Sequence, residues 1–146
     1  MWIGYGGHVT ISTLVDSNIF IDVFEDGADR EWSVERLVDL GSRAPLVVNA
    51  VIWSELAPNF PSERELNNEI AGLALEKQPL PFAAAFVAGM AHARYRRSGG
   101  KRERTLPDFL IGAHASVAGY RLLTRDASRY RGYFPDLDII APDTHP

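Results

Sequence analysis

The sequence predicts a single α/β domain in which a mostly parallel central sheet is flanked by helices on both sides. Short apolar runs of strand length recur at residues 9–15, 46–48, 120–123 and 138–141, and longer stretches with apolar residues at helical spacing separate them. Strands that alternate with helices and are apolar nearly throughout suit parallel pairing with both faces covered. A chain of 146 residues can bury one core of this kind but leaves no room for a second domain.

The elements follow in order. Residues 9–15 read as a buried strand, and Asp16-Ser17-Asn18 ends it and opens a helix through Ile19, Phe20 and Phe24. After a loop near Gly27, residues 31–40 form an amphipathic helix with Trp32, Leu37 and Leu40 on one face and Gly41 as its stop. That stripe suits core packing and a homodimer equally. Residues 46–48 are the second strand, and a helix over 50–57 ends before Pro58. Ser62 and Glu65 have capping-box spacing for a helix through Ile70 and Leu75, and Leu80 forms a short extended segment between Pro79 and Pro81. Residues 82–97 form a helix whose basic end, Arg94, Arg96 and Arg97, faces the negative pole of its dipole. Ser98-Gly99-Gly100 breaks it, residues 101–104 make a basic loop, and 106–117 form a helix rich in small residues. The last two strands are 120–123 and 138–141.

Composition narrows the class of function. Hydrophobic residues make up 46% and charged residues 23%, ordinary for a globular protein. Cysteine is absent, which excludes disulfides, thiolate nucleophiles and cysteine metal sites. No basic leader with an apolar run and no membrane-length segment occurs, so a cytoplasmic location without membrane attachment is expected. The net charge of -4 hides a polarised chain: residues 1–93 carry 5 basic and 13 acidic side chains, whereas 94–131 carry 10 basic and 3 acidic ones. Arg102 and Arg104, in the loop before Asp108, are candidates for contact with a nucleic-acid partner, although solvent exposure explains them equally well.

Ligands of parallel sheets gather beyond the carboxyl ends of the strands. Asp16 follows the first strand, Asp126 follows Leu122-Leu123-Thr124, Asp108 opens the helix feeding that strand, and Glu55 lies on the helix after 46–48. Clustered carboxylates repel one another and lose hydration unless a cation compensates. Mg2+ suits such oxygen ligands, and Mn2+ fits similar ones. No short zinc spacing involves His8, His92, His114 or His145. The chemistry served by this arrangement is phosphate hydrolysis. Plainer readings stand beside it: Asp16 and Asp108 as helix caps or first-turn acids, Glu55 as a solvent-facing helix residue, Asp126 as a loop stabiliser.

The wording around these acids resembles that of PIN-domain nucleases. Val15-Asp16-Ser17-Asn18-Ile19-Phe20 resembles their opening motif, Ser54-Glu55-Leu56 the second, Leu106-Pro107-Asp108-Phe109-Leu110-Ile111-Gly112-Ala113 the third, and Leu122-Leu123-Thr124-Arg125-Asp126 the fourth. Intervals of 39, 53 and 18 residues between the acids suit a compact member, and the resemblance covers about residues 10–141. It implies a PIN-like nuclease domain over 10–146, preceded at 1–9 by an N-terminal extension or arm. It also implies a Mg2+-dependent endoribonuclease with Asp16, Glu55, Asp108 and Asp126 as catalytic metal ligands and Ser17, Asn18 and Thr124 in support, Asn18 being equally a helix cap. Family members of this size are frequently VapC-type toxins, which cut RNA and are held inactive by a small antitoxin. Pro107 before Asp108 departs from the usual wording, but a first helical turn tolerates it. Arg125 either contacts RNA phosphate or pairs with a neighbouring acid; Tyr95, Tyr130 and Tyr133 either stack on unpaired bases or pack in the core; His114 packs or hydrogen-bonds within its helix. The alternatives are a catalytically weak PIN-fold module that binds RNA or protein, and a small-molecule phosphohydrolase. The latter is disfavoured because no Gly-x-x-x-x-Gly-Lys phosphate loop is present.

Overall fold

A computed structural model describes residues 10–100 and 103–146, so the expected arm at 1–9 and Arg102 of the basic loop lie outside the described residues. Strand β1 (Thr13–Val15) leads into α1 (Ser17–Glu25) and α2 (Arg30–Arg43). Strand β2 (Leu46–Val48), α3 (Ala50–Leu56), α4 (Glu63–Ile70) and β3 (Leu75–Lys77) follow. The chain continues through α5 (Phe82–Arg97), α6 (Leu106–Ala118), β4 (Arg121–Leu123), the single turn α7 (Ser128–Arg131) and β5 (Ile139–Ile140). The five strands pair in the order β3-β2-β1-β4-β5, every pair parallel. All residues of β1 and β2 are buried, as expected when helices cover both faces.

The sheet holds one strand that was not anticipated. Leu75, expected at the end of a helix, begins β3: the chain leaves α4 at Ile70, tightens through Ala71–Leu73 and turns at Ala74, whose φ is 50°. Pairing thus begins before the proline-flanked Leu80. Leu-Glu-Lys hides this strand because an exposed edge needs no apolar run. The first strand is also shorter than expected, starting at Thr13 instead of residue 9. Gly41 does not stop its helix, which runs to Arg43 and ends where Ala44 turns extended. The Trp32–Leu40 stripe belongs to the core: Leu37 and Leu40 are buried, and the Trp32 indole donates to the His145 carbonyl at 2.7 Å.

Helix α5 buries Ala84, Ala88, Ala91 and Tyr95 and packs chiefly on α6, while Phe82 and Phe86 on its outer side are 94% and 70% exposed. Among the described residues no helix is long and apolar enough to cross a membrane. Gly112 of α6 makes a close approach, since a Cβ there would lie 2.5 Å from Cε2 of Phe134 and 3.1 Å from Cδ1 of Tyr130. Gly112→Ala should therefore cost about 1 kcal/mol, the low end for overpacking because the Phe134 ring is not sealed on every side. An unchanged denaturant midpoint would show that the ring moves freely.

Candidate functional site

The site assembles where the sheet changes direction. The chain builds outward from β1 through β2 to β3, then returns to β4 on the other side, so its crossovers diverge beyond the carboxyl ends of β1 and β4. Val15 is in register with Leu123, and the Asp16 N–H donates to the Leu123 carbonyl at 2.9 Å. The next residues, Asp16 and Thr124, are therefore neighbours despite their separation in sequence.

Asp16 is the N-cap of α1 and only 4% exposed. Its Oδ1 accepts from the Ser17 N–H at 2.8 Å, and its Oδ2 accepts from the Thr124 and Tyr130 hydroxyls at 2.9 and 2.6 Å. The Thr124 hydroxyl also accepts from Asn18 Nδ2 and the Asp126 N–H, at 3.2 and 3.1 Å, so its hydrogen and both lone pairs are used. Asn18 Oδ1 accepts from the Arg125 N–H at 3.1 Å. Asn18 thereby ties the loop after β4 to α1, while Asp16 supplies the cap.

Glu55 comes from α3, whose start is set by Asn49. The Asn49 Oδ1 accepts from the Ile52 N–H and its Nδ2 meets Nδ1 of His114, both at 3.0 Å. His114 is buried, in keeping with its packing alternative, but its hydrogen bond leaves its own helix and ties α6 to the start of α3. Burial holds its pKa below the ordinary value and favours a neutral ring that can accept at Nδ1. The Ser17 hydroxyl donates to Glu55 Oε1 at 3.0 Å, linking the second acid to the first.

Asp108, also 4% exposed, is the third residue of α6 and closes a capping box with Thr105, with Pro107 tolerated in the first turn. Its Oδ2 accepts from the Thr105 N–H and hydroxyl at 3.0 and 3.3 Å, and its Oδ1 faces Arg129 at 3.4 Å. Arg129 also donates from Nε to Asp126 Oδ2 at 2.7 Å, and Asp126 Oδ1 accepts from the Ser128 hydroxyl at 2.6 Å.

The charges record this geometry. Burial raises the pKa of Asp16 against its three hydrogen bonds, and the Asp108 charge adds to the rise. Burial likewise raises Glu55, opposed by the Ser17 hydroxyl and reinforced by Asp16 and Asp108. Asp126 behaves oppositely: burial alone would raise it, but hydrogen bonds from Ser128 and Arg129 and the charges of Arg129 and Arg125 hold it below the ordinary value. Asp16, Glu55 and Asp108 thus form a mutually repelling group, which Asp126 joins through Arg129. The donors are all carboxylate oxygens, suited to a hard cation that keeps its own waters. Among the described residues no three ligating side chains already converge as a cage.

The raised pKa of Glu55 fixes the sign of a pH effect. Its folded value lies above the ordinary 4.5, so its contribution to stability is complete below that pH and is lost as pH rises through the folded pKa. In cation-free urea titrations, wild type should lose stability relative to Glu55→Gln as pH rises above 4.5. A pH-independent difference would contradict the burial of this acid.

A family model described as the PIN domain matches residues 13–134. The chain belongs to the PIN domain family. No curated protein matches this PIN domain. Among solved structures it is similar to VapBC2 from Rickettsia felis bound to a promoter DNA fragment, with 15% identity, 90% of this chain and 98% of that chain covered and a TM-score of 0.71. VapBC-1 from nontypeable Haemophilus influenzae gives 18%, 90%, 98% and 0.70, and a toxin-antitoxin complex from Klebsiella pneumoniae gives 20%, 89%, 97% and 0.63. At these identities the likeness establishes the fold.

One member of the candidate site, Arg129, was not singled out from sequence, and Tyr130 was weighed there only for base stacking or core packing. Arg129 bridges Asp108 and Asp126, and its spacing three residues beyond Asp126 was the available signal. Tyr130 is a fully buried core residue, as its packing alternative held, yet its hydroxyl also binds Asp16. Tyr95 and Tyr133 join an aromatic cluster around Phe109. Arg125 takes the ion-pair alternative: its guanidinium is engaged by Asp22 and Asp29. Arg104 lies over the Tyr95 and Tyr133 rings.

Proposed function

We propose that this PIN domain is a divalent-cation-dependent endoribonuclease and the toxin of a toxin-antitoxin pair. The observation that carries the catalytic reading is the group of Asp16, Glu55 and Asp108 at the switch point of the sheet, with burial and mutual repulsion raising Asp16 and Glu55. Asp16 and Asp108 would hold a Mg2+ or Mn2+ ion, with Glu55 and Asp126 as direct or water-mediated ligands. Such an ion supplies a more acidic attacking water and neutralises charge on the phosphate oxygens.

The protein groups divide the remaining work. Glu55, with its raised pKa, is the better proton acceptor for an attacking water, whereas Asp126 is held low by Arg129 and Ser128. Thr124, Ser17 and Asn18 keep the carboxylates in place through the hydrogen bonds around them. The buried Tyr130 hydroxyl, raised well above its ordinary pKa by burial and by Asp16, stays protonated and serves as a fixed donor.

Support for the toxin role comes from the fold shared with structures described as VapBC and toxin-antitoxin complexes. The partner would be a small antitoxin whose C-terminal segment covers the acidic cleft and brings a cation to it. The test is incubation of purified protein with an unstructured RNA pool and Mg2+, Mn2+ or chelator. Internal cuts are expected with either ion and none with chelator; RNA binding without metal-dependent cutting would reject the catalytic reading. Growth arrest on expression, relieved by a small protein encoded beside this one, is the matching result for the toxin role. Normal growth despite active nuclease would reject that role.

A further inference from the structure

A cavity of about 470 Å³ opens beside the acid group, lined by His92, Tyr95, Arg96, Gly100, Arg104 and Thr105 among others. It shares a wall with the site, because Thr105 also holds Asp108 Oδ2 through its N–H and hydroxyl. Its volume lies in the range that accommodates one small ligand.

The walls are fixed by aromatic packing. His92 and Tyr95 rest against Phe109, with ring centroids 5.3 and 5.6 Å apart. Gly100 passes so close that a Cβ there would lie 2.5 Å from the Tyr95 carbonyl oxygen, and the Gly100 N–H donates to that oxygen at 2.9 Å. The Arg104 guanidinium lies 5.7 and 6.0 Å from the Tyr95 and Tyr133 ring centres.

Charge distinguishes this region from most of the surface. Among the described residues, Arg30, Arg36, Arg43, Arg121, Arg125, Arg129 and Arg131 all have carboxylate partners, whereas Arg94, Arg96, Arg97 and Arg104 have none. Arg64 also lacks one but sits on a different helix, α4. Glu103 lines the adjoining recess with Arg104 but pairs with none of these arginines, and cations left together without ion-pair partners, around a polar cavity adjoining a phosphate-type site, suit a polyanion that continues into that site.

We infer that this cavity holds one unpaired nucleotide of the RNA substrate next to the scissile phosphate, with Arg96 and Arg104 on its phosphate and His92 at the edge of its base. The inference rests on the RNA reading above and adds a positioning subsite to it. An acidic protein segment is a separate occupant, disfavoured because it has no need to reach Asp108 through Thr105.

The experiment measures fluorescence anisotropy of a labelled unstructured oligoribonucleotide of about a dozen nucleotides, in chelator so that no cutting occurs. Arg96→Glu should weaken binding about tenfold or more, and Arg96→Ala with Arg104→Ala should flatten the salt slope by about 0.7 for each phosphate no longer neutralised. Arg64→Glu, an exposed charge reversal elsewhere, is the control. Affinity and slope in the Arg96 variants equal to those of the Arg64 control would overturn the subsite; the exposed Arg96 makes no fold-holding contact, so misfolding is no escape. Loss of binding to an oligoglutamate probe with RNA binding intact would assign the cavity to a protein partner and also overturn it. RNA held through Arg96 but never cut with Mg2+ or Mn2+ would support the subsite while sinking the nuclease reading. Equal cutting efficiency by wild type and Arg96→Glu would do the reverse.

Discussion

Asp16→Asn and Asp108→Asn should each reduce RNA cleavage by about a hundredfold or more while the protein stays folded. Asn is a good N-cap, so position 16 keeps the start of α1. The substitution replaces two acceptor oxygens with one, which cannot serve the Ser17 N–H and the Thr124 and Tyr130 hydroxyls together. That loss, about 1 kcal/mol, is offset by removal of a buried charge that burial already disfavours. Asn at 108 can still accept from the Thr105 N–H and close the capping box. Both variants remove negative charge from the group proposed to hold the cation, so activity falls where stability does not. Turnover equal to wild type in both, measured with native-like melting, would reject the site assignment.

The second large effect is expected at Arg129. Its guanidinium is the positive charge shared by Asp108 and Asp126, and it also lowers the pKa of Glu55. Arg129→Ala leaves the buried Asp108 without its ionic partner, which should destabilise the cation-free protein by about 2 kcal/mol, below the range for fully buried pairs because Arg129 is half exposed. The same change makes the cluster more negative, so Mn2+ affinity should rise about tenfold, as expected when a nearby unit charge is removed at intermediate dielectric. Calorimetric titration with Mn2+ and paired thermal melts read both effects. Weaker Mn2+ binding in the variant would show that Arg129 organises the carboxylates for the ion instead of competing with it.

The candidate acids were legible because each follows a local signal. Asp16 ends an apolar run, Asp126 follows Leu122-Leu123-Thr124, Glu55 sits one short helix beyond β2, and Asp108 opens α6. The same positions also serve the plainer readings, since Asp16 does cap α1 and Asp108 does complete a capping box. For Asp16 and Asp108 local wording could not choose between cap and ligand, because an acid at the start of a helix serves either use. Strand β3 was missed for a different reason: an edge strand that is partly exposed carries no apolar pattern to read.

By itself the sequence determined the alternation of strands and helices, the parallel sheet and the end at which the acids gather, since these follow from apolar periodicity and chain order. Only the tertiary structure decided how the charges are shared. Arg125 turns to Asp22 and Asp29, Arg129 bridges Asp108 and Asp126, and the Tyr130 hydroxyl reaches Asp16 from 114 residues away. The physical reason is that hydrophobic patterning acts locally and repeats along the chain, whereas an ion pair or buried hydrogen bond depends on a side chain's final direction, set only once distant elements pack.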